Sequence, residues 1–333
     1  MSGPEQKALN ARPTESAEAH QLYLRGRYVM EKRTPADLNK AAEYFNQAIA
    51  SDSSYAMAYA GLADCYVLLT QWKGGPVAEY FSKARAAANK ALQIDGNLVE
   101  AHASLGMIAF SETLDLREAK REFERAIELN PNYALARYWL AYSVLLALGN
   151  HDPAIIELKR AIELDPVSSV INTNLGYAYL LARRYPEAIA QLRKTIELNP
   201  SFAYAHAILG EALELNGQLN DAFTEYEKSY SVGHDYRGLM MMAHVHGLKG
   251  ERAKALQLFE QAKQLSSPDI WAYGCAMVYV GLGDRNETLN WLEQSYHQKE
   301  FINLSTIKED PLFDSLHGDL RFEKLVSEIL PQA

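Results

Sequence analysis

Cysteine is scarce in this chain, long apolar runs are missing, and positive charge is outnumbered by negative. Among its 333 residues there are two cysteines, Cys65 and Cys275, far apart in the sequence. A disulfide framework is therefore not the basis of the fold. Both fall on apolar helical faces, where a small inert thiol is the usual occupant. The best apolar stretch, Tyr138 to Leu148, has eleven residues, short of the ~18–20 that span a bilayer. The first residues, MSGPEQKALNARPTES, are polar and hold no signal-peptide core. The formal net charge of −9 disfavours nucleic acid, whose phosphates call for clustered Lys and Arg. It equally disfavours an anionic membrane surface. The expectation is a soluble, cytoplasmic chain with no nucleic-acid partner and no membrane insertion; a membrane helix upstream of Met1 would make it periplasmic instead.

Catalytic and metal signatures are also missing. Gly74-Gly75-Pro76 is not followed by the Gly-Lys-Ser/Thr of a phosphate-cradling loop. His244 and His246 look like a metal pair, but i and i+2 on a helix lie about 200° apart and face different ways. Asp152, Asp165 and Asp235 read as turn or cap residues. Glu118, Glu122 and Glu128 with Lys120, Arg121 and Arg125 read as a solvated helix face. No enzyme, cofactor or metal site is expected.

What is present is repetition. EAKREFERAIELNP ends at Pro131, DPAIIELKRAIELDP at Pro166 and PEAIAQLRKTIELNP at Pro200, at steps of 35 and 34 residues. A fixed period in this range signals stacked supersecondary units. A second series lies between these lines: Leu105-Gly106, Leu140-Ala141, Leu175-Gly176 and Leu209-Gly210, weakening to Met242-Ala243 and Cys275-Ala276. Its B-helix counterparts include Ala41/Phe45, Ala119/Phe123, Ala154/Leu158, Ala188/Leu192, Ala222/Tyr226 and Ala255/Phe259. The spacing predicts helix pairs. A small residue on helix A admits helix B, a large residue on helix B fills the gap between units, and proline ends the pair. In the first unit, Leu24 and Tyr28 are expected on the inner face of helix A. The first two units carry polar inserts.

These residues resemble the tetratricopeptide repeat, with its W-x-x-L-G-x-x-Y first helix, A-x-x-x-F second helix and exit proline. The tryptophan site departs throughout: it holds Tyr59, His102, Arg137, Asn172, His206, Leu239 and Ala272. The resemblance implies an all-α, right-handed superhelical solenoid of about eight antiparallel helix pairs. Residues 1–19 form a lead-in, 20–297 the array, and 298–333 a loop and a capping helix from about Leu320. It further implies a non-catalytic scaffold that takes a protein or peptide segment in the concave groove lined by the A helices.

The groove faces read Leu135, Tyr138, Tyr142, Leu145; then Val170, Thr173, Tyr177, Leu180; then Tyr204, Ala207, Glu211, Glu214; then Arg237, Met240, His244; then Ile270, Tyr273, Met277. Of these, Tyr138, Tyr142, Leu145, Thr173, Tyr177, Leu180, Tyr204, Glu211, Met240 and Tyr273 are the expected peptide-binding residues. Tyrosine offers an apolar ring with a polar tip, which suits such a groove; packing against a neighbouring helix is the alternative use of the same rings. Some members of the family clamp a partner's C-terminal carboxylate with Lys and Asn. Here Asn174 has no Lys at the matching sites, so an extended or helical apolar segment is the expected ligand.

EQKALNARPTESAEAHQLYLRGRY, MAYAGLADCY and DPLFDSLHGDLRFEKLV are similar to the C-terminal repeat region of large bacterial signalling proteins. That region follows a winged-helix DNA-binding, kinase or cyclase domain. The alternative function is therefore the ligand- or protein-sensing half of such a regulator, with this sequence an excised part of it.

Overall fold

The computed structural model describes residues 14–30, 34–70, 76–233, 236–266 and 271–330. The glycines of the second insert, Asp235 and Ile270 lie outside these residues. The described residues are helical with no strand, and divide into two compact units: residues 1–109 with 117–133, and residues 110–116 with 134–333.

The first unit contains α1 (Ala17–Met30), α2 (Pro35–Ser51), α3 (Ala56–Leu69), α4 (Val77–Ile94), most of α5 (Val99–Thr113) and α6 (Leu116–Leu129). Its core shows the packing rule. The Phe45 ring on α2 is fully buried between two glycines of flanking A helices. A Cβ added at Gly26 would stand 2.7 Å from that ring, and one at Gly61 2.6 Å. Gly106 faces Phe123 in the same way, at 2.5 Å. Gly26 also corrects the expected register of α1. Tyr23, Gly26 and Met30 are buried, whereas Leu24 and Tyr28 face solvent, at 52% and 74% exposure. The inner face is set by where glycine must meet Phe45, one position away from the Leu–Tyr reading.

The second unit contains α7 (Ala134–Trp139), which widens into a π turn over Leu140–Leu145, and α8 (His151–Leu164), α9 (Ser169–Leu181), α10 (Tyr185–Leu198), α11 (Ala203–Leu215) and α12 (Leu219–Gly233). It continues through α13 (Tyr236–Leu248), α14 (Arg252–Ser266), α15 (Ala272–Gly281) and α16 (Arg285–His297). The short α17 (Phe301–Leu304), a 3-10 turn (Pro311–Leu316) and α18 (Leu320–Ile329) follow. Odd-numbered helices up to α15 are A helices; the following even-numbered ones are their B partners. Gly176 meets Leu192 and Gly210 meets Tyr226, each at 2.5 Å for an added Cβ.

The absent tryptophan has a structural replacement. His102 bonds Glu122 (2.7 Å), Arg137 donates to Glu157 (2.6 Å), Asn172 accepts from Gln191 (2.9 Å) and His206 bonds Glu225 (2.7 Å). A polar tie thus joins A to B where an indole would fill space. His102, Asn172 and His206 also reach back to the carbonyls of Gly96, Pro166 and Pro200, at 3.3, 3.2 and 3.1 Å. Four B-helix exits carry their own brace. Asp52, Asp95, Asn130 and Asn199 accept the backbone N–H two residues on, which starts the turn to the next unit.

Truncating Phe45 to Ala is expected to cost about 3–5 kcal/mol, because the two facing glycines have no side chain to fill the void. Urea unfolding followed by circular dichroism checks this; an unchanged midpoint would show that the ring does not hold α1 to α3.

Candidate functional site

The A helices of the second unit build one face, and the chain after α16 lies across it. Glu300 starts the segment by accepting the N–H groups of Ala272 (3.2 Å) and Tyr273 (3.0 Å) at the start of α15. A carboxylate is favoured there by the exposed amides and the helix dipole. Ser305, Thr306, Ile307, Asp310, Pro311, Leu312, Phe313 and Leu316 are all buried.

The contacts of this segment fall on expected groove residues. Tyr177 shares a 2.9 Å hydrogen bond with Thr306, and the Tyr273 hydroxyl donates to Asp310 at 2.5 Å. The Phe313 ring meets Tyr273 edge-on at 5.3 Å. Thr173, Leu180 and Met240 are fully buried. The Thr173 hydroxyl makes no hydrogen bond. Tyr138 is buried and stacks on half-buried Tyr142 at 5.8 Å; Leu145 is half-buried on the same turn. Asn174 ties Tyr138 to Tyr204, with two 3.4 Å bonds. Tyr204 keeps 37% exposure. The expected set thus splits. Tyr177 and Tyr273 touch the chain's own segment, Tyr138 and Tyr204 join through Asn174, and Thr173, Leu180 and Met240 are enclosed.

The remaining groove residue, Glu211, is buried. Desolvation, with the nearby charges of Asp310 and Glu214, raises its carboxyl well above the ordinary range. Burial raises Asp310 as well, against the lowering pull of the Tyr273 hydroxyl, the Leu312 N–H and Arg183. Beside them, Glu214 accepts from Tyr226 (3.1 Å) and from His244 Nε2 (2.7 Å), while His244 Nδ1 meets the Met277 carbonyl at 2.5 Å. Both imidazole nitrogens face acceptors, which calls for two ring protons. Burial pushes the His244 pKa down, but the charge and hydrogen bond of Glu214 and the Met277 carbonyl outweigh it, and the net shift is upward. His246 turns away, to Glu251 (2.5 Å) and the edge of Phe223. Among the described residues no group of three or more His, Cys, Asp or Glu is placed to hold a metal.

Sequence reasoning missed the residues that hold the segment. Arg183 makes a two-pronged ion pair with Asp314, at 2.9 and 2.7 Å. His151 Nε2 is buried without a hydrogen bond, the Glu309 carboxylate standing 3.6 Å off. A Cβ at Gly149 would stand 3.0 Å from that carboxylate. A signal for Arg183 existed. The turns between A and B helices hold a left-handed residue at Leu114, Gly149, Arg183, Gly217, Gly250 and Gly283. Four are glycine; Leu114 (φ 54°) and Arg183 (φ 61°) adopt it with a side chain, at a cost of roughly 1–2 kcal/mol each.

Residues 108–169 and 173–232 match the family model described as tetratricopeptide repeat. The chain is 26% identical over 132 residues to the transcriptional regulator HilA of Salmonella paratyphi A, covering 40% of this chain and 24% of that protein. HilA of Salmonella typhimurium matches to the same extent. The chain therefore spans about a quarter of the length of these curated relatives. Among solved structures, yeast Tom70 aligns with a TM-score of 0.56 at 17% identity, over 96% of this chain and 69% of that one. PilW, a type IV pilus biogenesis factor, aligns at 0.53 and 18% identity, over 66% and 98%. At these identities the two structures speak to the fold.

Glu211 holds its proton more tightly folded than unfolded. The stabilisation this gives is complete below the ordinary glutamate value of 4.5 and is lost as pH rises through the raised folded-state value. Glu211→Gln, neutral at every pH, is expected to flatten that part of the melting-temperature profile and to melt a few degrees higher at neutral pH, ~2–4 °C per kcal/mol. Parallel profiles for the two proteins would show Glu211 to be charged in the fold.

Proposed function

We propose that this chain, whose residues 108–169 and 173–232 are tetratricopeptide repeats, is a non-catalytic scaffold that holds a protein segment against the A-helix face of its second unit. One observation carries the reading: the chain's own residues 301–316 occupy that face as a bound peptide would. They bury apolar side chains and meet tyrosine hydroxyls with polar ones. A face of rigid rings with hydroxyl tips binds at low entropic cost, since few rotatable bonds are frozen. Tyr138, Tyr142 and Tyr204 extend it, with Tyr204 still open to solvent.

A second reading follows from the likeness to HilA. It makes this chain the sensing region of a bacterial transcriptional regulator, the segment held on the face reporting to an output domain. The 132 matched residues lend it support, and it uses the same face.

Replacing Tyr142 or Tyr204 by a photo-crosslinking phenylalanine is expected to capture a partner protein on irradiation in bacterial lysate. The same group at Lys194, on the solvent side of α10, is expected to capture none. Tyr142→Ala with Tyr204→Ala should abolish pull-down of that partner while the helical spectrum is retained. Equal capture from both faces, or undiminished pull-down by the double variant, would move the interaction off this face.

A further inference from the structure

Residues 301–316 reach the face from the end of the array and meet residues some 130 positions earlier in the sequence. Their contacts are of two kinds. Phe313 and Thr306 lie deep, against Tyr273 and Tyr177. Glu309 and Asp314 lie at the rim, against His151 and Arg183. The rim contacts are weak ties. The Arg183 and Asp314 side chains are 40% and 54% exposed, and an exposed ion pair adds little net stability. His151 Nε2 is left without a hydrogen bond although a carboxylate is close by. The occupant therefore does not satisfy its own site. Arg183 points the same way. It holds a left-handed position that glycine fills at 149, 217, 250 and 283 and Leu114 fills in another A–B turn; its guanidinium, which also bonds Tyr185, makes a two-pronged ion pair with the occupant.

We propose that residues 301–316 are a displaceable competitor, and that the ligand they exclude is a partner segment of the same chemistry: acidic residues flanking a Pro-Leu-Phe core, as in Glu309-Asp310-Pro311-Leu312-Phe313-Asp314. This deepens the groove reading and rests on it. The rim supplies the charge complement, with the Arg183 guanidinium for one carboxylate and His151 for another. A partner whose carboxylate closes on His151 Nε2 makes a bond that the internal segment lacks. A second copy of this chain is the weaker candidate. Its segment carries the same imperfect contacts, and the internal one is tethered at Glu300 and holds the advantage of effective concentration.

The test uses the full chain and, as probe, a fluorescein-labelled peptide of its residues 301–318, read by fluorescence anisotropy. Asp314→Ala loosens the internal segment and leaves the face intact; it is expected to bind the probe about two- to fivefold more tightly than the natural sequence, the range an exposed ion pair can release. Adding Arg183→Gly should reverse that gain without unfolding the turn, because glycine suits the left-handed position. A probe carrying Arg in place of Asp314 should regain binding to an Arg183→Asp, Asp314→Ala chain. Equal probe affinity for the natural chain and Asp314→Ala, or no binding to either while their melting temperatures agree, would make the segment a permanent part of the fold and overturn the proposal. A concentration-dependent dimer of the natural chain that Asp314→Ala abolishes, seen by sedimentation, would assign the site to a second copy and likewise overturn it. Probe failure with crosslinking at Tyr142 and Tyr204 retained sinks this inference alone; loss of both sinks the groove reading too.

Discussion

The distance between paired helices is the constraint on which the rest of this chain depends. Phe45 fits only because Gly26 and Gly61 present no side chain to it, and Tyr226 lies over Gly210 for the same reason. Such contacts leave no room for adjustment, since a well-packed interior resists both voids and added methylenes. Position is therefore inherited along each unit: once a B-helix ring is seated, the A helix it touches is fixed. The groove tyrosines ride on those A helices. The polar ties His102–Glu122, Arg137–Glu157, Asn172–Gln191 and His206–Glu225 set rotation where the glycine contacts set separation.

A rigid face would be inert without something polar to read. Here Glu211 of the face meets Asp310 of the segment, two carboxyls whose burial favours the neutral form. Burying two negative charges side by side would be prohibitive, and protonation is the usual escape. The tyrosine at this place is then apt, because a phenol donates to Asp310 whether that group is charged or neutral. The adjoining Tyr226–Glu214–His244 chain takes the opposite solution. It sets His244 between Glu214 and a backbone carbonyl, and these acceptors raise the imidazole pKa against its burial.

The helix pairs were legible because their determinants are local and repeat. Leu-Gly on one helix, Ala-x-x-x-Phe on the next and a proline exit each state a steric requirement within some 35 residues. The register of α1 was not, because Leu24 and Tyr28 present a plausible apolar stripe and only the position of Phe45 reveals that Gly26 is the inner residue. The groove tyrosines were legible as a face, but their neighbours were not. Thr306, Asp310 and Phe313 lie far along the chain from Tyr177, and no period links them. Long-range pairing of an irregular segment leaves no trace in spacing. The one trace was chemical: an arginine at a turn position that glycine fills at 149, 217, 250 and 283 and leucine at 114.

That trace also separates two roles within the C-terminal stretch. An array needs its last apolar edge covered, and α18 covers α16. Phe322, Leu325, Val326 and Ile329 are buried, and Arg321 reaches Glu293 and Asn290. Nothing in that task requires residues 301–316 to leave the end of the array and cross the A-helix face to Gly149. A short connection from α16 to α18 would close the edge equally well. The segment's path follows the tyrosines and the rim cation instead, which is the observation the proposed groove reading rests on.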